Sequence, residues 1–219
     1  RVGIAVRNHQ GDFILVNGNQ TACLLTYYLL KKWEENKKLT GKEFIVKTIV
    51  TSELMKDIAI KFGVEYYDVL TGFKWIADVI RKNENIKTFI GGGEESYGFM
   101  IGDFIRDKDA VSACAIIAEI ASWAAQSGKT IYDLLIDIYL EFGLYKESLI
   151  SIVRKGQSGA SEIQQIMADF RSNPPTLTNN SKVVMIKDYE KQKEINLVHN
   201  SETTIDLPKS NVLQFFTED

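Results

Sequence analysis

The residues whose types and spacing could do chemistry gather in one stretch, Gly91-Gly92-Gly93-Glu94-Glu95-Ser96. Glycines at the end of an apolar run let the backbone turn sharply and approach a ligand closely. Carboxylates beside a strand end are good acceptors for neighbouring hydroxyl groups, and a serine can donate or accept. Two adjacent carboxylates also repel, so burying both needs compensation. A plain glycine loop carrying a solvated acidic turn fits the same residues, and at this level both readings stay open. Nucleotide loops do not fit: the chain has no G-x-x-x-x-G-K followed by Ser or Thr, and no G-x-G-x-x-G at a helix start.

A second polar string, Arg106-Asp107-Lys108-Asp109, precedes an apolar helical stretch. Its cations near a helix start suit a phosphate group. Equally, Asp109 caps the helix and the other three form surface ion pairs. Asp103, Asp107 and Asp109 lack the spacing of a calcium loop, so no metal is expected on them. His9 and His199 fall in loops without a neighbouring nucleophile, which leaves a catalytic triad unsupported. Cys23 and Cys114 sit in apolar helical patterns without zinc-like spacing and read as small buried hydrophobes.

The elements that must hold these groups follow from the hydrophobic period. Val2 to Val6 and Asp12 to Val16 form a hairpin around the glycine-containing loop at 7–11. Leu24, Leu25, Tyr28, Leu29 and Trp33 mark an amphipathic helix. Short apolar runs then alternate with helical stretches, the pattern of a parallel sheet with crossover helices. Strands are predicted at Phe44 to Val50, Val64 to Val69 and Lys87 to Gly91, with helices near 52–62, 74–81 and 110–126. Ligands of such sheets bind beyond the carboxyl ends of the strands. That rule selects Thr51-Ser52, the loop at 70–74, and the glycine-rich segment at 91–109. After a helix starting at Thr130 come a strand-like run from Ser148 to Val153, a glycine turn at 156–159, and a helix near 161–171. Strands near 183–186, 203–207 and 212–216 follow the Pro174-Pro175 break. The predicted class is therefore α/β, a parallel-type sheet with crossover helices, followed by an incomplete α+β domain. Its divisions are 1–17, 18–143 and 144–219.

With 219 residues, 45% hydrophobic and 25% charged, the chain can bury a substantial core without staples. A net charge of -3 argues against bulk attraction to nucleic acid. The longest apolar stretch, Ala110 to Ala125, is interrupted by Ser112, Glu119 and Ser122 and is too short for a membrane span. A reducing cytoplasm suits two unpaired cysteines and no apparent signal peptide. Both ends read as cuts within a longer protein.

Thr71-Gly72-Phe73-Lys74-Trp75, then Gly93-Glu94-Glu95-Ser96-Tyr97-Gly98, then Gly102-Asp103 through Asp109, occur in an order and spacing that resembles the third domain of the α-D-phosphohexomutases. This family includes the phosphoglucomutases and phosphomannomutases. Arg1-Val2-Gly3-Ile4-Ala5 looks like the final arginine of that family's D-x-D-x-D-R metal loop and the strand after it. Phe216-Thr217-Glu218-Asp219 stands just before the expected R-P-S-G-T-E phosphate loop.

The resemblance implies a mutase that interconverts hexose 1-phosphate and hexose 6-phosphate through a phosphoserine and a 1,6-bisphosphate intermediate. Glu94 and Ser96 match the positions that grip ring hydroxyls, and Thr71 and Gly72 match a second sugar-contacting loop. Lys108 and Lys47 match basic residues facing the substrate in different branches, and Arg1 lies at the metal-loop end of the site. Magnesium and glucose 1,6-bisphosphate are implied for the full-length enzyme, with the metal-loop aspartates preceding Arg1. The implied partners are a hexose phosphate and the remaining domains of the polypeptide, and the isolated chain is expected to be inactive. The Thr71 to Trp75 and Asp107 to Asp109 strings also resemble the branch of phosphopentomutases and glucose-1,6-bisphosphate synthases. A non-catalytic sugar-phosphate binding module is the alternative of another class.

Overall fold

The computed structural model describes residues 1–218, which divide into two compact units, 1–147 and Ser148 onward. The first unit begins with a hairpin, β1 (Ile4–Arg7) antiparallel to β2 (Phe13–Val16). Asn8 closes its loop by accepting from the Gln10 and Asp12 amides, each at 2.9 Å. Helix α1 (Gly18–Glu35) starts at once because Asn17 and Gln20 form a reciprocal capping box. That satisfies two amides that would otherwise lack partners.

The main sheet has the order β4-β3-β5-β6, built from β3 (Glu43–Thr48), β4 (Glu65–Val69), β5 (Thr88–Glu94) and β6 (Gly98–Ile101). β3 pairs in parallel with β4 and β5, and β6 runs antiparallel to β5. All six residues of β3 are buried, as befits a strand covered on both faces. Phe44 and Val46 pack with Ile76 and Ile80 of α3 (Phe73–Lys82), whereas Ile45 joins the larger core beneath α1 and α2 (Leu54–Lys61). Alternation along one strand thus feeds two cores. Helices α4 (Ala110–Gln126) and α5 (Ile131–Phe142) complete the larger one through Ile120, Ala124, Leu135 and Ile138.

Three sequence expectations change in this unit. Gly91, Gly92 and Gly93 are not a loop but the end of β5, and the chain returns immediately as β6, a strand the sequence reading did not include. Close packing demands these glycines: a Cβ on Gly92 would stand 2.5 Å from the Val46 carbonyl oxygen, and one on Gly93 2.6 Å from the Phe99 ring. Cys114 is exposed, unlike Cys23. Alanines cover both faces of α4, so its apolar composition hides which side faces the core.

The second unit packs α6 (Gly156–Ser172) with an antiparallel sheet of order β10-β9-β8-β11. The strands are β8 (Ser181–Asp188), β9 (Lys193–Asn196), β10 (Ser201–Thr204) and β11 (Leu213–Thr217), with the short β7 (Leu177–Thr178) paired to β8. Phe170 meets Phe215 at 6.3 Å between ring centroids, and Arg171 bonds Asp188 at 3.2 Å. The strand expected at Ser148 to Val153 is absent; that run is irregular and exposed throughout. An apolar run without a neighbouring strand has no ladder for its backbone groups. The glycine turn expected at 156–159 is instead the first turn of α6. Among the described residues no single helix is long and apolar enough to cross a membrane.

Candidate functional site

β5 delivers Glu94 to the carboxyl edge of the sheet, and residues 95–97 turn the chain into β6. Glu94 is only 4% exposed. Its Oε1 accepts from the Gly72 amide at 2.6 Å, and its Oε2 lies 3.5 Å from the Ser96 hydroxyl oxygen, which donates to it. A charged acceptor on a backbone amide makes a strong bond, and here it ties together two loops 22 residues apart. Gly72 has φ of +122°, a conformation that a residue with a side chain rarely adopts.

Phe73 organises the neighbourhood. A Cβ on Gly98 would approach its ring to 2.5 Å, and Lys108 Nζ stands 5.4 Å from its centroid. Lys108 also bonds Asp107 at 3.0 Å, and the bonded lysine holds the Asp107 carboxyl below its ordinary range. Thr71 is exposed beside Gly72. The Val2 amide donates to the Tyr97 carbonyl at 3.0 Å, which brings exposed Arg1 to the same turn. Glu94, Ser96, Thr71, Gly72, Lys108 and Arg1 therefore share one edge.

Lys47 stands across from Gly93 in the parallel pairing of β3 and β5, one residue from Glu94 along the chain. Fully buried, it places Nζ 2.7 Å from Glu53 and 2.8 Å from Asp68, with the Thr51 and Thr48 carbonyls at 3.3 and 3.4 Å. Burial pushes the Glu53 carboxyl up, but its bonds to Lys47 and Lys56 outweigh this and leave it below the ordinary value. Thr48 then links forward: its hydroxyl is 2.7 Å from that of Thr51 and donates to Glu95 Oε2 at 3.4 Å.

The helix-start string behaves as cap and ion pairs. Asp109 accepts from the Val111 and Ser112 amides at 2.9 and 3.3 Å, and Arg106 bonds Glu84 at 2.8 Å. His9 is exposed and meets Asp133 at 2.5 Å. Among the described residues no three His, Cys, Asp or Glu side chains gather in a metal-holding group. A cavity of about 150 Å³ lined by Tyr27, Trp123 and Leu134 lies away from this edge, under α4 and α5.

Sequence reasoning missed Gly18, Asn19 and Thr48. Asn19 is buried and accepts from the Ser52 amide at 2.9 Å. Its signal was a polar residue in the first turn of a helix whose later residues are largely apolar.

Residues 17–142 match the model of the phosphoglucomutase/phosphomannomutase α/β/α domain III. The chain belongs to the phosphoglucomutase/phosphomannomutase family. It is 39% identical over 214 residues to a phosphoglucomutase of Staphylococcus aureus strain MRSA252, and 38% identical to that of strain N315. Each alignment covers 98% of this chain and 38% of the relative, so the chain spans well under half the length of those proteins. Among solved structures, the open form of the Paramecium exocytosis-sensitive phosphoprotein pp63/parafusin, a phosphoglucomutase, aligns with a TM-score of 0.56 at 16% identity. That alignment covers 93% of this chain and 33% of the other, and supports the fold. Glu94, Ser96, Thr71, Gly72 and Lys108 fall within the matched domain of this family, and Arg1 precedes it.

Proposed function

We propose that the protein containing this chain is a phosphohexomutase that interconverts hexose 1-phosphate and hexose 6-phosphate, with glucose or mannose as the sugar, and that this chain supplies the sugar-reading edge. The observation that carries the proposal is the buried Glu94 carboxylate, held by the Gly72 amide and faced by the Ser96 hydroxyl. An acceptor fixed this way is aimed before the sugar arrives, which reduces the ordering cost of binding.

Moving phosphate between C1 and C6 through a 1,6-bisphosphate requires one edge to hold the sugar in two opposite orientations. A carboxylate accepts from either of two adjacent ring hydroxyls, and a serine hydroxyl can donate to one or accept from the other. Ser96 needs only to rotate its hydroxyl to release Glu94 for the sugar. Thr71 offers a further exposed hydroxyl, and Lys108, weakly held by an exposed carboxylate, can turn to a phosphoryl oxygen. Phosphoryl transfer depends mostly on positioning and charge neutralisation, and this edge contributes the positioning. The phosphoserine, magnesium and bisphosphate of the reaction are assigned to the full-length protein.

The test is kinetic, on full-length protein with glucose 1-phosphate, mannose 1-phosphate and ribose 1-phosphate. Glu94→Ala should lower kcat/KM by about 10- to 100-fold, the worth of one charge-assisted bond made to the substrate, and Ser96→Ala by about 10-fold, the upper worth of a neutral one. Unchanged turnover in both variants would remove this edge from the site. Preference for ribose 1-phosphate would move the protein to the pentose branch.

A further inference from the structure

We infer that the first turn of α1 is the positioning element of the sugar-reading edge, with Gly18 setting the turn at 95–97 and Asn19 setting the Thr51-Ser52 loop. The assignment rests on the role proposed above for Glu94 and Ser96, and adds to it two residues that act through the backbone of the loops rather than on the sugar.

Gly18 is buried against the backbone of the turn itself. A Cβ there would stand 1.7 Å from the Glu95 carbonyl oxygen, 2.6 Å from its carbon and 2.8 Å from the Tyr97 nitrogen. All three are backbone atoms, so no side chain can swing away to make room. Ordinary contact at these atoms lies beyond 3.4 Å. Any residue with a side chain at 18 must therefore push the turn away by more than an ångström or tilt the start of α1. The turn is poorly placed to absorb that shift. On one side Glu94 is bonded to Gly72, on the other Gly98 is wedged against Phe73, and Tyr97 already sits at φ +68° with its carbonyl bonded to Val2. Ser96 lies between these fixed points and moves with them.

The next residue reaches the other loop. Asn19 Oδ1 accepts from the Ser52 amide at 2.9 Å in a buried setting. The same loop is held from β3 by Lys47 on the Thr51 carbonyl and by the Thr48 and Thr51 hydroxyl pair. Thr48 also reaches Glu95 Oε2, so the loop and the turn are coupled through one threonine. The capping box of Asn17 and Gln20 fixes where α1 begins, and hence where both neighbours stand. A helix start defined to the residue is what lets a backbone contact act as a positional stop.

The experiment is a double-mutant cycle in the full-length protein, with glucose 1-phosphate turnover and thermal unfolding measured on every variant. Gly18→Ala should lower kcat/KM by about 100-fold, as expected for an ångström of misplacement. In a Ser96→Ala background the same substitution should cost less than about 10-fold, because the group it misplaces is already gone. Asn19→Ala should impair turnover, and Asn19→Asp, which keeps an oxygen at the bonding position, should recover most of it. The Asn19 pair carries the test if Gly18→Ala does not fold. Near-normal turnover of Gly18→Ala, equal losses in both backgrounds, or no difference between Asn19→Ala and Asn19→Asp would each overturn the inference. If Glu94→Ala and Ser96→Ala were themselves silent, the sugar-reading role would fall and this one with it. If they are impaired while Gly18→Ala is normal, only the positioning role fails.

Discussion

Glu94 and Lys47 are both ionisable, both buried, and both at the carboxyl ends of neighbouring parallel strands, yet their surroundings give them different tasks. One carboxylate oxygen of Glu94 rests on a backbone amide, and the other faces a hydroxyl that can rotate away. Lys47 donates to Glu53 and to the Thr48 and Thr51 carbonyls, with Asp68 as a second carboxylate 2.8 Å away. The glutamate was legible from sequence because glycines, carboxylates and serine are contiguous. The surroundings of Lys47 were not, because its partners come from the start of α2 and from β4, and no local pattern joins them. Lys47→Met should therefore destabilise the fold by about 2 kcal/mol. That is below the cost of breaking a fully buried pair, since both carboxylates keep contact with water. Urea unfolding measures it. Lost turnover at wild-type stability would instead return the amine to the substrate.

At the scale of elements, the period-based reading recovered the α1 helix, the three parallel strands and the crossover helices, since each carries its own apolar face. It missed β6, whose four residues Gly98–Ile101 are too few to show a period and make sense only beside β5. It placed a strand at Ser148 to Val153 because pairing is not written in a single segment. Helix ends were more readable, through their caps. Thr130 and Asp133 form a capping box at α5, and Asp133 also bonds His9. The His9 bond, then those from Thr130, lower the Asp133 carboxyl to about 2. The unfolded chain binds that proton more readily, so the stabilisation is complete above the ordinary aspartate value of about 4 and is lost as pH falls toward 2. Thermal unfolding of wild type and Asp133→Asn should differ most at neutral pH and converge between about pH 4 and 2. A gap independent of pH would assign the effect to packing.

At the scale of the whole molecule, the chain spans 38% of the length of its Staphylococcus relatives and is built as two units, each with its own sheet. The first is anchored at its far end: Lys61 pairs with Glu141 and the Tyr145 hydroxyl bonds Asp57, which fastens the end of α5 and the segment after it to α2. Beyond Glu147 that fastening stops. Residues 148–155 have no regular structure and every one is exposed, including Leu149 at 89% and Ile150 at 85%. Proteases cut where backbone is free to enter their clefts, and exposed irregular chain meets that condition while helices and paired strands do not. Trypsin needs a lysine or arginine, and this stretch offers Arg154 and Lys155 just before α6 begins at Gly156. Brief digestion of the 219-residue chain should therefore cut there first. The piece up to Arg154 should persist, because the sheet and both cores around the Glu94 edge lie within it. Mass spectrometry of the early fragments locates the cut. Earlier cleavage after Lys74 or Lys108, both exposed beside Glu94 and Gly72, would mean that this edge opens more readily than residues 148–155 and is not rigidly held.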